Sequence, residues 1–298
     1  MSRIIVLGSG AWGTAIALSL HRRGGHQLSL WAHSPEFAQE IIADGENRLF
    51  LPGFHLPPEV AITGDNAAVA NAEIVVSVVP SEFLRSTFAR IGPHLHTGQI
   101  IVSATKGIED HTYLRMTQVI ATSLAEVGLT LPIGAFSGPS FALEVAQGQP
   151  TALTVAFRDA AIATRIQTEF SSETLRLYTS NDLIGVELGG ALKNVIAIAA
   201  GVAAGVGLGY NSAAALMTRG IAEITRLAVA CGGRRETLAG LGGKVVEGVS
   251  TTRAALGLAR KHGIEMPIAE QMELILNEGK DPHEAIKALM LRPGKDEH

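Results

Sequence analysis

The sequence predicts an α/β protein with an N-terminal doubly wound parallel sheet and a C-terminal all-helical domain. A short, β-branched strand at Ile4–Leu7 leads straight into a glycine-rich turn and a helical stretch. Apolar strands then alternate with helical stretches up to about residue 180, which is the pattern of a parallel sheet covered by helices. Beyond that point only helical periodicity is found. We therefore expect one domain over 1–180 and a second, helical domain over 181–298.

The composition narrows the class of protein. Hydrophobic residues make up 47% of the 298 residues and charged ones 17%, as in a folded globular chain. A net charge of −4 argues against a nucleic-acid partner, which usually requires a basic face. Cys231 is the only cysteine, so no internal disulfide can form and a cytoplasmic location is expected. Arg3 runs directly into the first strand without a targeting signal. His94 and His96 have no partner cluster, and we expect no metal site.

The first turn carries a dinucleotide-binding pattern. The segment Gly8-Ser9-Gly10-Ala11-Trp12-Gly13 lies between the strand Ile4–Leu7 and the helical stretch Thr14–Arg23. Strand, G-x-G-x-x-G and helix in this order place a pyrophosphate on a helix N-terminus. The glycines allow a tight turn and a close approach of the backbone to the ligand. We therefore interpret 1–180 as a Rossmann-like, dinucleotide-binding domain.

The end of the second strand bears on the choice between NAD and NADP. That strand, Gln27–Trp31, is followed by Ala32-His33-Ser34, which contains no carboxylate. NAD-selective folds commonly place an acidic residue there to bind the ribose 2′-hydroxyl. Without an acidic residue here, a 2′-phosphate is permitted, so either NAD or NADP is expected. We expect His33 to contact the cofactor. Ser34 is also expected to cap the next helix, with Pro35 at the first helical position.

Three later strand ends carry chemically suggestive residues at the edge where ligands bind in such sheets. The strands are predicted at Val60–Thr63, Glu73–Val79, Gln99–Ala104, Leu131–Phe136, Thr151–Phe157 and Leu175–Thr179. The suggestive ends are Val79-Pro80-Ser81, Thr105-Lys106-Gly107 and Ser137-Gly138-Pro139-Ser140-Phe141-Ala142. Lys106 is a candidate for holding an anion or a substrate oxygen. The alternative is a solvated loop lysine.

The helical domain contains the strongest catalytic candidate. Its helices are predicted at Leu183–Gly205, Ser212–Ala230, Thr252–His262, Pro267–Gly279 and Pro282–Leu291. The apolar run 195–209 is shorter than a membrane span and holds four glycines, so we expect a buried helix and no stable membrane insertion.

Lys193 and Asn194 are the last strongly polar pair before that run. Desolvation at the polar lip of a buried helix would lower the pKa of the lysine and make it a general base near neutrality. Gly189 and Gly190 precede Lys193 by four and three positions on the same helix face. This face is nearly bare, and we expect a ligand to approach the backbone there. The alternative is a lysine that snorkels from the end of a core helix.

Taken together, these motifs resemble one family, the bacterial-type NAD(P)-dependent glycerol-3-phosphate dehydrogenases. The matching segments include the glycine loop, Trp31-Ala32-His33, the strand ends at 79–81, 104–107 and 137–142, and Thr218-Arg219-Gly220. The most specific are Gly138-Pro139-Ser140-Phe141-Ala142 and the run Gly185-Val186-Glu187-Leu188-Gly189-Gly190-Ala191-Leu192-Lys193-Asn194-Val195. Val245-Val246-Glu247-Gly248 also matches. The segments span nearly the whole chain in order.

The resemblance implies an enzyme that interconverts dihydroxyacetone phosphate and sn-glycerol 3-phosphate, mainly toward the alcohol for phospholipid synthesis. By position, Lys193 would donate or accept the proton at the reacting oxygen. The substrate would contact Lys106, Gly138, Ser140, Lys193 and Asn194. The cofactor, NAD or NADP, would contact Gly8, Gly10, Ala11, Trp12, Gly13, His33, Lys106, Ala142, Val245 and Glu247. We also expect a homodimer that acts on a small phosphorylated substrate.

The chain departs from the family at one place. Where the family has Gly-Leu-Gly-Asp, a Ser-Arg-Asn-Arg segment and a further helix, this sequence reads Gly240-Leu241-Gly242-Gly243-Lys244-Val245. The aspartate and the phosphate-binding arginine and asparagine have no counterpart. Either this is a true deletion, with weak or absent turnover, or the natural chain is longer. A Cα separation at Gly243–Lys244 far from about 3.8 Å, or an intact mass above 31.2 kDa, would indicate the second.

Two other functions compete with the dehydrogenase. One is a related two-domain reductase of the β-hydroxyacid or ketopantoate type, which also places a lysine on a helix of the second domain. The other is a dinucleotide-binding protein that has lost catalysis, for which the missing segment is the argument. Lys193 followed at once by Asn194, and the Gly138–Ala142 turn, favour the dehydrogenase. Oxidation of NADPH in the presence of dihydroxyacetone phosphate would discriminate among the three.

Overall fold

A computed structural model describes residues 1–239 and 249–292, apart from the side chains of residues 239, 249 and 250. An eight-stranded sheet forms the N-terminal part, with the strand order β3-β2-β1-β4-β5-β6-β7-β8. The strands are β1 Ser2–Leu7, β2 His26–Trp31, β3 Val60–Thr63, β4 Ile74–Ser77, β5 Ile100–Ser103, β6 Ile133–Ser137, β7 Thr151–Ala156 and β8 Leu175–Ser180. The predicted fold class is confirmed.

The centre of the sheet is built from strands that are apolar on both faces. Along β1, Ile4 and Val6 pack into one buried cluster, whereas Ile5 and Leu7 pack into another on the opposite face. This alternation follows from the two-residue period of a strand. The strand β1 pairs in parallel with β2 on one side and β4 on the other. The strand order reverses there, and ligands bind beside such a switch point in open α/β sheets.

One strand pair differs from the parallel sheet that the sequence predicts. The strand β7 runs antiparallel to β6, although β8 is again parallel to β7. The only helix between β6 and β7 is α5, Ala142–Ala146. Five helical residues rise only about 7.5 Å, which is about half of what is needed to return past a five-residue strand. The chain therefore re-enters the sheet from the edge where β6 ended.

Helices cover both faces of the sheet. They are α1 Ala11–Arg23, α2 Pro35–Asp44, α3 Ser81–Ile91, α4 Met116–Glu126, α5 and α6 Ala160–Phe170. The Arg22 guanidinium at the end of α1 donates to the carbonyl oxygens of Val145 (2.5 Å) and Ala146 (2.7 Å). This contact fixes α5 on the C-terminal end of α1.

In the described residues, the C-terminal part consists of helices joined by turns, without a strand. Its helices are α7 Leu183–Gly205, α8 Tyr210–Ala230, α9 Arg235–Ala239, α10 Val249–Lys261, α11 Pro267–Glu278 and α12 Pro282–Met290. The five predicted helices are confirmed, with α8 and α10 beginning two to three residues earlier than predicted. The short α9 is additional, because a five-residue helix leaves too little periodicity to detect in the sequence.

The helix α7 is the centre of this part. Among the described helices, it is long and apolar enough to cross a membrane, and 67% of its most apolar window is buried inside the protein. Leu183 and Val186 at its start pack on Ala135 and Ala156 of the sheet. Further along, Ile196 packs on Gly220 of α8. These contacts make α7 a core helix that joins the helical part to the sheet.

Candidate active site

The three glycines of the first loop meet different requirements. Gly8 has a φ of +111°, and a Cβ there would lie 3.1 Å from the Val78 carbonyl group. A Cβ on Gly13 would lie 1.8 Å from the Gly8 carbonyl oxygen, so only glycine allows α1 to approach the loop. A Cβ on Gly10 would meet nothing within 4 Å, so this side of the loop is open.

The N-terminus of α1 is chemically suited to an anion. Gly10 is the N-cap residue and no side chain caps the helix, nor does the first turn contain an acidic residue. The first amide groups of a helix lack partners within the helix, and they carry a partial positive charge. An open glycine loop and uncapped amides therefore fit the pyrophosphate of a dinucleotide.

The glycine loop and the turn after β6 lie close together. Ala11, Trp12 and Ala142 are all half-buried and pack against the same buried cluster on one face of the sheet. The Trp12 ring is stacked on Phe136 of β6, with 6.5 Å between the ring centroids and 13° between the planes. Residues predicted to contact the cofactor from two distant segments are thus brought together.

The end of β2 matches the prediction for its helix cap. The Ser34 hydroxyl accepts a hydrogen bond from the Phe37 backbone N–H at 3.1 Å, and Pro35 follows at the first position of α2. His33 is exposed, and its ring centroid lies 5.8 Å from that of Phe37. The part of His33 in cofactor selection stays a prediction.

Lys193 is buried at the junction of α7 and the sheet. Only 7% of the residue is exposed, and Nζ donates a hydrogen bond to the Gly138 carbonyl oxygen at 2.7 Å. Burial, and after it the positive charge of Lys106, lower the pKa of Lys193 to about 7. The predicted desolvation is confirmed, and the amine does not snorkel to the surface. An amine with this pKa can exchange a proton at neutral pH.

Lys106 stands at the end of β5 and is half-buried. Its charge acts on Lys193, so two amines from different segments belong to one site. The adjoining backbone is tightly placed, since a Cβ on Gly107 would lie 2.9 Å from Cβ of Ser81 and 3.7 Å from Oγ1 of Thr251. Thr251 on α10 was not found by sequence reasoning, because no motif marks it.

The other predicted substrate contacts lie beside the Gly138 carbonyl. The Ser140 hydroxyl is 3.5 Å from the Gly138 carbonyl oxygen and donates to it. Asn194 is 2% exposed, and among the described residues its Oδ1 atom has no hydrogen-bond partner. Gly138 itself is buried, and a Cβ there would lie 2.7 Å from Leu153. The turn after β6 therefore supplies backbone and hydroxyl groups to the same region as Lys193.

One expectation about α7 is wrong. The bare position at Gly190 is not open to a ligand, because a Cβ there would lie 2.1 Å from Oγ of Ser137. The Ser137 side chain fills that space. Sequence periodicity gave the helix face of Gly190 correctly, but it contains no information about which residue of another element packs on that face.

Two buried carboxylates anchor the start of α7. Glu187 is held by Arg115 and by the backbone N–H and hydroxyl of Thr117 at the N-terminus of α4. Asp182 accepts from the backbone N–H groups of Gly185 and Arg234, both at 2.8 Å. Burial raises the pKa of Glu187, while the nearby Arg115 acts in the opposite direction. A glutamate within an apolar helix was the signal in the sequence, although its partner could not be identified.

Some predicted features lie outside the described residues. These are the cofactor contacts Val245 and Glu247 and the Gly243–Lys244 link. They remain predictions. In the described parts, no group of three or more His, Cys, Asp or Glu side chains could hold a metal ion.

The fold and the site define a two-domain, dinucleotide-dependent dehydrogenase with a buried lysine. Two family models of the NAD-dependent glycerol-3-phosphate dehydrogenases match this chain. The N-terminal model matches residues 3–163, and the C-terminal model matches residues 182–244 and 241–287. The chain therefore belongs to the NAD-dependent glycerol-3-phosphate dehydrogenase family.

Individual relatives agree with this assignment. The chain is 53% identical over 338 positions to a glycerol-3-phosphate dehydrogenase [NAD(P)+] of Acidobacterium capsulatum, with complete coverage of both chains. It is 49% identical over 335 positions to that of Koribacter versatilis, covering 100% of this chain and 99% of the other. The crystal structure of glycerol-3-phosphate dehydrogenase from Coxiella burnetii has a TM-score of 0.90 at 33% identity, covering 98% and 99% of the two chains.

The same alignments bear on the departure near Gly243. The alignment with the Acidobacterium protein has 338 positions against 298 residues here, so at least 40 positions have no residue of this chain opposite them. The C-terminal family model is matched in two pieces that meet at 241–244. The first finding shows that the relative has a longer sequence, and the second agrees with a missing segment at this place.

Proposed function

We propose that this chain reduces dihydroxyacetone phosphate to sn-glycerol 3-phosphate, and catalyses the reverse reaction, with NAD or NADP as the cofactor. The observation that carries the proposal is the buried Lys193 amine, with a pKa of about 7, beside Lys106 and the turn after β6. The family to which the chain belongs and the curated names of its relatives support the same substrate.

In this proposal the residues of the chain bind the reactants and move one proton. The uncapped amides at the start of α1 would hold the pyrophosphate, and Trp12 and Ala142 would line the path of the cofactor. When bound, the nicotinamide supplies or accepts the hydride. Lys193 in its ammonium form would donate a proton to the ketone oxygen during reduction, and its neutral amine would remove that proton during oxidation.

Lys106 has a different part from Lys193. Its ammonium group would stabilise the negative charge that develops on the reacting oxygen, as preorganised cations do in acyl and carbonyl chemistry. It would also favour the neutral form of Lys193, since two like charges close together oppose each other's protonation. Ser140, Gly138 and Asn194 would supply further hydrogen bonds to the substrate.

The substrate phosphate is the part of the proposal that the missing segment affects. Arginine binds phosphate best through its two-pronged guanidinium, and the family's Ser-Arg-Asn segment has no counterpart in this sequence. We therefore expect the phosphate to contribute less to binding here than in the relatives. The expected consequence is a raised KM and slow turnover, with the lysine chemistry retained.

Further parts of the proposal concern the cell. The use of the product for phospholipid synthesis and a homodimer are expected from the resemblance described above, and a cytoplasmic location is expected from the single cysteine. The division into a dinucleotide-binding domain over 1–180 and a substrate domain over 181–298 is proposed on the sequence pattern. It agrees with a sheet whose last strand ends at Ser180 and with α7, the first helix of the helical part, which begins at Leu183.

The test is the oxidation of NADPH and NADH, followed by absorbance, with each of three ketones: dihydroxyacetone phosphate, dihydroxyacetone and ketopantoate. The proposal expects the highest kcat/KM with dihydroxyacetone phosphate. A preference for ketopantoate would instead indicate the related reductase. Tight binding of NADPH without oxidation by any of the three would indicate a protein that has lost catalysis.

A further inference from the structure

Helix α7 passes very near the end of β6 at a glycine. A Cβ built on Gly190 would lie 2.1 Å from Oγ and 3.2 Å from Cβ of Ser137, and no other described atom outside the neighbouring backbone of α7 would lie within 4 Å of it. The Ser137 side chain alone therefore limits how near the helix can come at this point. Gly201, on the same helix, differs because a Cβ there would meet nothing within 4 Å.

This contact is adjacent to the one that holds Lys193. Ser137 and Gly138 are consecutive at the end of β6, and Gly138 accepts the hydrogen bond of the Lys193 amine at 2.7 Å. Gly190 and Lys193 are three residues apart on one face of α7. Three helix residues span about 4.5 Å along the axis of α7. Consecutive strand residues such as Ser137 and Gly138 are roughly 3.3 Å apart. The two contacts therefore run side by side, and a shift at the first moves the second.

The Ser137 hydroxyl does not serve an evident purpose in folding. The residue is 5% exposed, and among the described residues its hydroxyl has no hydrogen-bond partner. An interior hydroxyl without a partner lowers stability, and each such group in a folded protein requires an explanation. Its position against the Gly190 backbone is the explanation that the geometry offers.

We propose that Ser137 and Gly190 are positioning residues, which set the distance between α7 and β6 and thereby hold the Lys193 amine at the Gly138 carbonyl. The inference rests on the proposed function, in which Lys193 transfers the proton. An added methyl group at Gly190 would lie more than 1 Å inside an ordinary contact of 3.4 Å with the hydroxyl, so either the Ser137 side chain turns or α7 shifts. A displacement of about 1 Å at a reacting group can lower a rate about 100-fold.

Four variants test this: Gly190→Ala, Ser137→Ala, the double variant, and Gly201→Ala as the matched control on the same helix. We measure kcat and KM for dihydroxyacetone phosphate, the Kd of NADPH, the melting temperature and the pH profile of kcat. Gly190→Ala is expected to lower kcat about 100-fold with the Kd of NADPH unchanged. The kcat of the double variant should be about tenfold higher than that of Gly190→Ala, because only the 3.2 Å contact between the two Cβ atoms remains. Gly201→Ala should keep wild-type kcat.

The pH profile separates positioning from a purely structural effect. In the reduction direction the wild-type kcat should fall as the pH rises through about 7, because Lys193 then loses its proton. Lys106 is the charged neighbour that contributes to this value. In Gly190→Ala the amine regains water, so the fall should move upward by about one pH unit or more. A lower melting temperature with an unmoved pH profile would overturn the proposal.

Two further results would also overturn it. One is a Gly190→Ala variant that keeps kcat within about threefold of the wild type. The other is a double variant no better than Gly190→Ala. If wild-type protein shows no turnover, the proposed function fails, and the positioning is tested by trace acetylation of Lys193 with acetic anhydride across pH. Equal pH midpoints of Lys193 acetylation in wild type and Gly190→Ala would then overturn the positioning proposal, whereas a higher midpoint in the variant would support it.

Discussion

Lys106 is the residue whose part in the site is easiest to separate from folding. It is half-buried at the end of β5, and its charge reaches the Lys193 amine. We predict that Lys106→Ala raises KM for dihydroxyacetone phosphate and also lowers kcat, because the ammonium group would act on both the bound ketone and the transition state. Steady-state kinetics measure both constants. The exposed Lys261, changed to alanine, is the control, and unchanged KM and kcat in Lys106→Ala would return Lys106 to the class of solvated loop lysines.

His33 is the residue at which cofactor choice is expected to be decided. It is exposed at the end of β2, where no carboxylate is present to repel a 2′-phosphate. We predict that His33→Asp weakens the binding of NADPH by about tenfold, equivalent to roughly 1.4 kcal/mol, and weakens the binding of NADH much less. The Kd values of both cofactors, measured by fluorescence titration, test this. His33→Asn is the neutral control, and equal losses for the two cofactors in His33→Asp would contradict the placement.

Residue chemistry that depends on near neighbours in the chain could be predicted from the sequence. The glycine loop, the Ser34 cap and the desolvated Lys193 all follow from local pattern, and the structure agrees with each. The contact of Ser137 with Gly190 could not be predicted, because it joins residues 53 positions apart and depends on how α7 is set on the sheet. Local pattern identifies a helix face without identifying what packs on it.

At the scale of elements, α8 and α11 are joined by a buried carboxylate. Glu223 on α8 is 1% exposed and accepts from the backbone N–H groups of Ile268 and Ala269, both at 3.0 Å. Met266, the N-cap residue of α11, makes no side-chain capping bond. Glu223 therefore satisfies, from another helix, the amide groups that a capping residue would normally satisfy.

This arrangement predicts a pH-dependent stability. Burial raises the pKa of Glu223 to about 7, above its value of about 4.3 in an unfolded chain. The folded state thus holds the proton more tightly, so the stability from this group is present below about pH 4.3 and lost as the pH rises through 7. We predict that the free energy of unfolding of the wild type falls by roughly 3 kcal/mol relative to Glu223→Gln between pH 4.5 and 7.5.

Urea unfolding of both proteins across this range measures the difference. Glu278→Gln, at an exposed position of the same helical part, is the control and should give the same pH dependence as the wild type. A constant difference between wild type and Glu223→Gln at all pH values would contradict the prediction. The sequence shows Glu223 within an apolar helix, but its two amide partners lie 45 and 46 residues away.

The antiparallel direction of β7 is another feature that could not be predicted from the sequence. Alternation of strands and helices correctly predicts a doubly wound sheet, yet it does not specify strand direction. Direction depends on whether the connection is long enough to cross the sheet, and α5 is only five residues long. The predicted parallel, doubly wound sheet is therefore confirmed apart from one antiparallel pair, and the strand order around β1 is that of a doubly wound sheet.

At the scale of the whole molecule, the missing family segment gives a prediction about mass and assembly. The alignments leave at least 40 positions without a residue of this chain. If the deletion is real, the intact mass of protein from its natural source is 31.2 kDa, and light scattering of the proposed homodimer gives twice that value. Native and denaturing mass spectrometry measure both quantities. A subunit mass larger by a few kilodaltons would mean that the natural chain retains the segment, and a mass of one subunit in solution would exclude the dimer.

Lys193 is the group on which the proposed proton transfer to dihydroxyacetone phosphate depends. The most direct measurement is kcat for NADPH oxidation by dihydroxyacetone phosphate, in wild type and Lys193→Ala, together with the Kd of NADPH. We predict that the variant folds and binds NADPH nearly as the wild type does, while kcat falls roughly 10²–10⁴-fold, the usual contribution of a positioned acid–base group. A variant that keeps more than about a third of the wild-type kcat would contradict the account, because Lys193 would then be only a buried lysine of α7.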